Sequence, residues 1–406
     1  MGLLTFKGGI HPDDGKRFSK DQPIKALLPT GDLIYPLSQH IGAPAVPVVK
    51  KGDQVLKGQM IAEAGGFVSA PVYSSVSGKV KALEKHFNPT GTKVDCIVIQ
   101  NDGEYQEAEY APVKPLNEMT REEIISKIGD AGIVGMGGAG FPTRVKLSPK
   151  DADKIEYIIA NCAECEPYIT ADYRRMLEYT EDLVSGMRVI LSLFPNARGI
   201  FAVEDNKKDC IQKLQDAVSE EPKMDVKALM TKYPQGAERQ VIYVTTGRKI
   251  YSKMLPADAG CVVDNVQTVL AVYDAVCKCT PSMTRVMTLT GYAMAQPQNY
   301  KVRFGMSHAE LLEEAGGLVE EGAEKIISGG PMMGMAMFDL NVPITKTSSS
   351  ILAMTKDEVA ANEPTNCIRC GRCASVCPSH LVPQKMAEAA DRQDLDLFQK
   401  LNGMEC

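Results

Sequence analysis

Four cysteines stand close together in Cys367-Ile-Arg-Cys370-Gly-Arg-Cys373-Ala-Ser-Val-Cys377, and Pro378 follows directly. Thiolates are soft ligands suited to iron–sulfur clusters. Two gaps of two residues let three thiolates grip three corners of one cube, and in two-cluster ferredoxins the fourth cysteine serves the other cluster. Structural zinc sites set their ligand pairs much further apart. Gly371 allows the backbone to approach the cluster, and Pro378 turns the chain away. A second motif must then complete the first cluster. Cys406 reads as the first cysteine of that motif, and the sequence stops there. The expectation is two 4Fe–4S clusters in the intact protein and at least one in this chain, with Cys367, Cys370, Cys373, Cys377 and Cys406 as ligands.

A second concentration of chemistry is Gly132-Ile-Val-Gly135-Met-Gly137-Gly138-Ala139-Gly140-Phe141-Pro142-Thr143. Glycines leave the main chain bare, so N–H groups can reach a phosphate or a flat ring. Lys146 lies just beyond, placed to pair with a phosphate. The run is not the standard dinucleotide fingerprint, and on spacing alone a flexible turn reads it equally well.

These residues need elements to position them. Residues 1–115 are rich in Val, Gly and Pro, and short strands broken by tight turns are expected from Val46-Pro-Val-Val49 to Val76-Ser-Gly-Lys-Val80. This looks like the barrel-sandwich fold of lipoyl and biotinyl carrier domains. The stretch matching their cofactor-bearing hairpin, Ile61-Ala-Glu-Ala-Gly-Gly-Phe-Val-Ser69, has no lysine, so the fold is expected without the swinging arm. From 116 to 283 strands alternate with helices. Helices are expected at 121–128, 171–193 and 209–218, and strands at 155–160, 199–203 and 241–245. That alternation argues a Rossmann-like parallel sheet. Residues 284–345 read as a small β-grasp unit, with strands at 286–290, 300–304 and 325–328. Its helix starts at Ser307, with Glu310 as third residue of a capping box. Residues 346–360 read as a linker, and 346–406 as the cluster-bearing region. The fold class is therefore multidomain α/β and α+β, ending in a helical ferredoxin-like segment.

The chain has 406 residues, 44% of them hydrophobic and 24% charged, and a formal net charge of −6. That balance argues against nucleic acid as the main partner, because a basic face is its usual footprint. No stretch approaches the ~20 apolar residues of a transmembrane helix, and the opening ten residues hold too short an apolar run for a signal peptide. A cytosolic protein is expected, meeting a membrane only through a partner. In such a chain the twelve cysteines read as metal ligands or buried thiols rather than disulfides.

The loop motifs carry a specific resemblance. Gly135-Met-Gly-Gly-Ala-Gly-Phe-Pro-Thr143 with Lys146, and Asn161-Cys-Ala-Glu164-Cys-Glu166-Pro167, resemble the flavin-bearing, NADH-oxidising subunit of respiratory complex I. Tyr233-Pro-Gln-Gly236-Ala-Glu238 and Asp264-Asn265-Val-Gln-Thr268 resemble its next two flavin and NADH segments. Ala163, Ala237 and Asp264 depart from that pattern. Over residues 6–406 the chain is more similar still to the RnfC family, the C subunits of Rnf electron-transport complexes, through Phe6-Lys-Gly-Gly-Ile-His11-Pro, Pro36-Leu-Ser-Gln-His40-Ile-Gly-Ala-Pro44 and the cluster motifs. The resemblance implies hydride transfer from NADH to a non-covalent FMN. Single electrons then pass through the clusters toward a ferredoxin-like subunit, coupled to ion pumping by integral membrane subunits. It implies a peripheral place on the cytoplasmic face of the bacterial membrane. Carried over by position, it makes Glu166 and Glu238 the acids of the NADH side. Gly135, Gly137, Gly138, Gly140, Phe141, Lys146, Asn161, Glu164, Tyr233, Gly236, Asp264, Asn265 and Thr268 become cofactor contacts, Lys146 facing the FMN phosphate.

A soluble flavin and iron–sulfur reductase of cobalamin-reducing type, or a cluster-bearing adaptor without flavin, would share these modules. The domain order favours the Rnf family. Cys96, Cys210 and Cys261 read as core residues, and Cys162, Cys165, Cys277 and Cys279 as buried or incidental thiols. His40 reads as structural, and Met332-Met-Gly-Met-Ala-Met337 as packing.

Overall fold

The computed structural model describes residues 3–359 and 365–406. The N-terminal module is the barrel sandwich. Leu33–Pro36, Lys93–Asn101, Gly78–Phe87 and Gln54–Val55 form one antiparallel sheet, and Val46–Pro47, Met60–Glu63 and Val72–Tyr73 form a second. Leu33, Tyr35, Ile61, Val72, Val80, Ile97 and Ile99 fill the space between them.

The next module is a four-stranded parallel sheet in the order Met224–Leu229, Arg198–Glu204, Tyr157–Cys162, Cys261–Asn265. Side chains alternate across a strand, and both faces are apolar here. Ile158, Ala160 and Cys162 meet a cluster that includes Leu183, Met187 and Ile190 of the Thr180–Ser192 helix and Val269 of the Val266–Cys277 helix. Ile159, Ile200 and Val263 point the other way, to Val241, Ile242 and Val244. Burial of each such side chain is worth about 1.5–3 kcal/mol.

Two expectations are corrected here. Residues 241–245 are not the third strand but part of the Glu238–Thr246 helix, and the third strand is Met224–Leu229. A short β-branched run reads alike as a buried strand or as the buried face of a helix. The expected 171–193 helix is two helices, Ala171–Glu178 and Thr180–Ser192, broken at Tyr179, whose φ is −129° and ψ 38°. The Arg121–Asp130 helix is as expected and begins with a full capping box between Thr120 and Glu123.

The third module is larger than its own segment. Its sheet runs Lys25–Ala26, Gln298–Arg303, Thr284–Thr290, Ser350–Met354, Lys325–Ser328, Met335–Ala336. Ser350–Met354 lies inside the stretch read as a linker, yet it pairs with both Thr284–Thr290 and Lys325–Ser328. The capping box at Ser307 is half formed. Ser307 Oγ accepts from Glu310 N–H at 3.0 Å, but the Glu310 carboxylate accepts from Thr30 and Gly31 N–H at 2.5 and 2.9 Å. The final segment carries the helices Arg372–Val376, Pro383–Asp391 and Leu395–Lys400. No helix among the described residues is long and apolar enough to cross a membrane.

One buried lysine joins three modules. Lys346 Nζ donates to Pro71 O at 2.7 Å and Gly132 O at 2.6 Å, and Arg285 Nη1 donates to Lys346 O at 2.6 Å. Burial pulls the Lys346 amine from its ordinary 10.5 down to about 7. The unfolded chain therefore binds a proton between those values that the folded chain does not, and stability rises with pH there. Urea unfolding of wild type and Lys346→Met from pH 7 to pH 10 should show the wild type gaining stability relative to the variant.

Candidate functional site

In open α/β sheets ligands sit at the carboxyl ends of the strands, where the strand order reverses. Here the chain winds outward from Tyr157–Cys162 and then returns to place Cys261–Asn265 on its other side. Asn161, Asp264 and Asn265 stand at the carboxyl ends of those two strands.

The glycine run crosses this crevice. Met136 N–H donates to Thr268 Oγ1 at 2.9 Å. Gly137 lies so near Asn265 that a Cβ would meet the Asn265 Cβ at 2.8 Å, whereas a Cβ on Gly138 would meet nothing within 4 Å. Among the described residues the N–H groups of Gly137, Gly138, Ala139 and Gly140 find no acceptor within the chain. Gly137, Gly138 and Ala139 are exposed where they border the crevice, so their N–H groups are open to water or to a ligand. Two adjoining chambers of ≈ 550 and ≈ 600 Å³ share residues 137–139, Asn161, Gly236, Ala237 and Asn265 as walls. Both volumes suit a small-molecule site.

Buried lysines shape the acidic loop at 161–167. Lys16 Nζ donates to the carbonyls of Ile169, Glu164 and Glu166 at 2.6, 2.9 and 3.4 Å. Lys207 Nζ donates to Ala163 O at 2.6 Å and Glu204 Oε2 at 3.2 Å. Glu164 turns its carboxylate to the start of the Ala171–Glu178 helix, accepting from Asp172 and Tyr173 N–H at 2.7 and 3.2 Å. Burial pushes its carboxyl up to about 7, against the pull of Lys16. Glu166 reaches across to the third module, where its Oε1 accepts from Met332 and Met333 N–H at 2.7 and 3.0 Å. Burial raises its carboxyl also, and those two N–H groups oppose the rise. The reading of the methionine run as packing is corrected: Met332, Met333 and Met335 are exposed, the first two on the loop whose N–H groups meet Glu166 and Met335 on the short strand at the sheet's edge.

The remaining expected residues converge on the same space. Glu166 and Tyr233 line the first chamber; Gly135, Gly140, Phe141, Lys146, Glu238, Asp264 and Thr268 line the second. Asn161 Nδ2 donates to Gly236 O at 2.7 Å, and Asn265 Nδ2 to Asp172 Oδ2 at 2.5 Å, so both amides also tie loops together. Lys146 Nζ donates to Val263 O at 2.7 Å and stands 3.3 Å from Asp264 Oδ1. That approach is an ion pair without hydrogen-bond alignment, because both Asp264 oxygens are buried with no hydrogen-bond partner. Burial would depress Lys146, but Asp264 and Glu238 outweigh it and hold the ammonium above its usual value. Burial also lifts the Glu238 carboxyl, with Lys146 opposing.

Lys16, Lys207, Asp172, Arg285 and the 329–334 loop were not foreseen as parts of the site. The Gly329-Gly330 pair was the available signal for a loop with free backbone donors. His40 is structural as expected, its Nε2 accepting from Ala70 N–H at 3.0 Å. Cys96, Cys210 and Cys261 are buried.

Cys367, Cys370 and Cys406 are exposed, and Cys373 and Cys377 half-buried. Among the described residues no three His, Cys, Asp or Glu side chains converge closely enough to hold a metal ion. The donor chemistry still fits a cluster: soft thiolates on one short segment, with the chain turned between them by Gly371 at φ +77°.

Removing Lys146 would leave a buried, uncompensated Asp264 carboxylate, a loss of about 3–5 kcal/mol. Chemical denaturation should show Lys146→Met strongly destabilised and the pair Lys146→Met/Asp264→Asn substantially restored.

Comparison with known proteins follows the same modules. Residues 4–104 match the RnfC barrel sandwich hybrid domain, 128–274 the Nuo51 FMN-binding domain and 286–336 the SLBB domain. The chain is 45% identical over 400 residues to the C subunit of the proton-translocating ferredoxin:NAD(+) oxidoreductase complex of Clostridium ljungdahlii, covering 98% of this chain and 86% of that one. It is 42% identical over 402 residues to the C subunit of the Na(+)-translocating complex of Acetobacterium woodii, covering 99% and 90%. An NAD+-reducing nickel–iron hydrogenase in its H2-reduced state shares the fold, with a TM-score of 0.50 and 20% identity over 61% of this chain and 49% of that one. Identity of this extent over nearly the whole length places the chain in the RnfC family, the C subunits of ion-translocating ferredoxin:NAD(+) oxidoreductase complexes.

Proposed function

We propose that the chain is the peripheral NADH-oxidising subunit of such a complex, on the cytoplasmic face of its membrane. It works with a ferredoxin-like cluster subunit and with integral membrane subunits that move ions. The division of labour follows the modules: residues 116–283 bind FMN and NADH, 1–115 and 284–354 frame that site, and 367–406 carry the clusters. The supporting observation is the row of bare N–H groups at 137–140 between two chambers at the sheet's switch point. The soluble cobalamin-reductase reading is not favoured beside relatives of 45% and 42% identity.

The residues fit FMN. The open face of Gly138 leaves room for a flat ring, and the unpartnered Asp264 oxygens offer acceptors to ribityl hydroxyls. Lys146 supplies positive charge for the phosphate. Bound FMN would take a hydride from NADH and release electrons singly, which is the cofactor's own chemistry. The chain's part is placement. Glu166 fixes the nicotinamide side while braced by the 329–334 loop, and Glu238 borders the second chamber. Asn161, Asn265 and Thr268 hold the walls at their spacing, and no side-chain nucleophile is required. The thiolates of Cys367, Cys370, Cys373, Cys377 and Cys406 are the proposed cluster ligands.

Anaerobic protein loaded with FMN should lose its flavin band on addition of NADH, followed by its cluster absorbance. Glu166→Ala should retain FMN affinity but need about tenfold more NADH or beyond, the worth of a hydrogen bond to a charged group. Bleaching by chemical reductant alone, with NADH inert, would contradict the proposal.

A further inference from the structure

Residues 7–10 run between the chamber wall and the cysteine motif. Ile10 pairs with Tyr233: Ile10 N–H donates to Tyr233 O at 2.9 Å and Tyr233 N–H to Ile10 O at 2.8 Å. Tyr233 lines the first chamber together with Glu166. One residue before Ile10, Gly9 N–H donates to Val376 O at 2.7 Å. Val376 ends the Arg372–Val376 helix, immediately before Cys377. Lys232 Nζ donates to Gly8 O at 2.9 Å and steadies the strip from the α/β module. Gly8 has φ +91°, and a Cβ there would stand 2.6 Å from Val376 O. A side chain at this point would be strained and would push the motif away. A second tie lies close by. Glu405, next to Cys406, accepts from Arg239 Nη1 at 3.2 Å and Ser252 Oγ at 2.5 Å. Arg239 belongs to the helix whose first residue, Glu238, borders the second chamber.

We propose that residues 7–10 are the seat that docks the cysteine motif against the cavity, and the route by which electrons leave it, from Tyr233 through Ile10 and Gly9 to Val376 and Cys377. This rests on the function proposed above. With FMN and clusters bound, NADH would give a hydride to the flavin and become NAD+, oxidised clusters would accept the two electrons one at a time, and the proton would go to water. No covalent bond in the strip changes. Gly9 and Tyr233 are positioning residues here, replacing a through-space gap with covalent and hydrogen bonds, across which electronic coupling falls less steeply.

The test uses the full chain, loaded with FMN and clusters, without oxygen. Stopped-flow absorbance would follow the flavin and cluster bands separately after NADH is added, and hydrogen exchange would report the Gly9 amide. In wild type that amide should exchange slowly. In Gly8→Val the flavin band should fall at the wild-type rate, the cluster band roughly tenfold slower or more, and the Gly9 amide should lose protection. Gly8→Ala, whose methyl meets the same oxygen, carries the test if the valine variant fails to fold. Rapid Gly9 exchange in wild type would overturn the seat. Wild-type cluster reduction in a variant whose Gly9 amide is unprotected would overturn the route. If NADH leaves the wild-type flavin band unchanged, the proposed function falls, while Gly9 exchange still decides the seat.

Discussion

The amine of Lys16 lies among the carbonyl oxygens of Ile169, Glu164 and Glu166, and that of Lys346 between Pro71 O and Gly132 O. Lys207 adds a third buried amine, against Ala163 O, Glu204 and Asn206. A buried amine is tolerable only where its donors find acceptors. Each of these lysines therefore fixes the backbone around it. Displacing the 161–167 loop would strand Lys16 and Lys207 at once, and separating the barrel sandwich from the α/β module would strand Lys346. The crevice keeps its shape because opening it would break the hydrogen bonds that these buried amines make to carbonyls of separate segments.

Within that frame the site is assembled from segments far apart in the chain. The sheet supplies a switch point, the glycine run crosses it, and Asn161, Asn265 and Thr268 hold the loops together by side-chain contacts. The third module closes the crevice through the Glu166 carboxylate on the backbone of the 329–334 loop, beside the Gln267–Val286 and Arg285–Met136 hydrogen bonds. Events at Glu166 are thereby linked to a loop that presents exposed methionines on its outer side. The strip at 7–10 does the same for the cysteine motif, tying it to the wall at Tyr233.

What was legible in the sequence was local. The cysteine spacing, the glycine run and the acidic loop carry their chemistry in consecutive residues, so residue type and spacing suffice to find them. The parallel sheet was legible from the alternation of strands and helices, although the run at 241–245 was misread because a short apolar stretch serves either state. What escaped depends on contacts between distant segments. Nothing around Lys16 marks it as buried, since its acceptors lie about 150 residues further on. Ser350–Met354 reads as a linker until the two strands beside it are known. Glu164 lines the first chamber, but the sequence does not show that its carboxylate also binds the start of the Ala171–Glu178 helix, a contact made between separate turns of the chain beside Lys16.

The central claim is that the space over the glycine run at 137–140 receives the flavin. Gly138 offers a direct measurement, because a side chain there meets no protein atom within 4 Å and would project into open space. FMN affinity, by quenching of flavin fluorescence, would be compared between wild type and Gly138→Val, with thermal unfolding of both flavin-free proteins alongside. Unchanged stability with FMN binding lost is the predicted result. Wild-type FMN affinity in a folded Gly138→Val protein would place the flavin elsewhere and contradict the account.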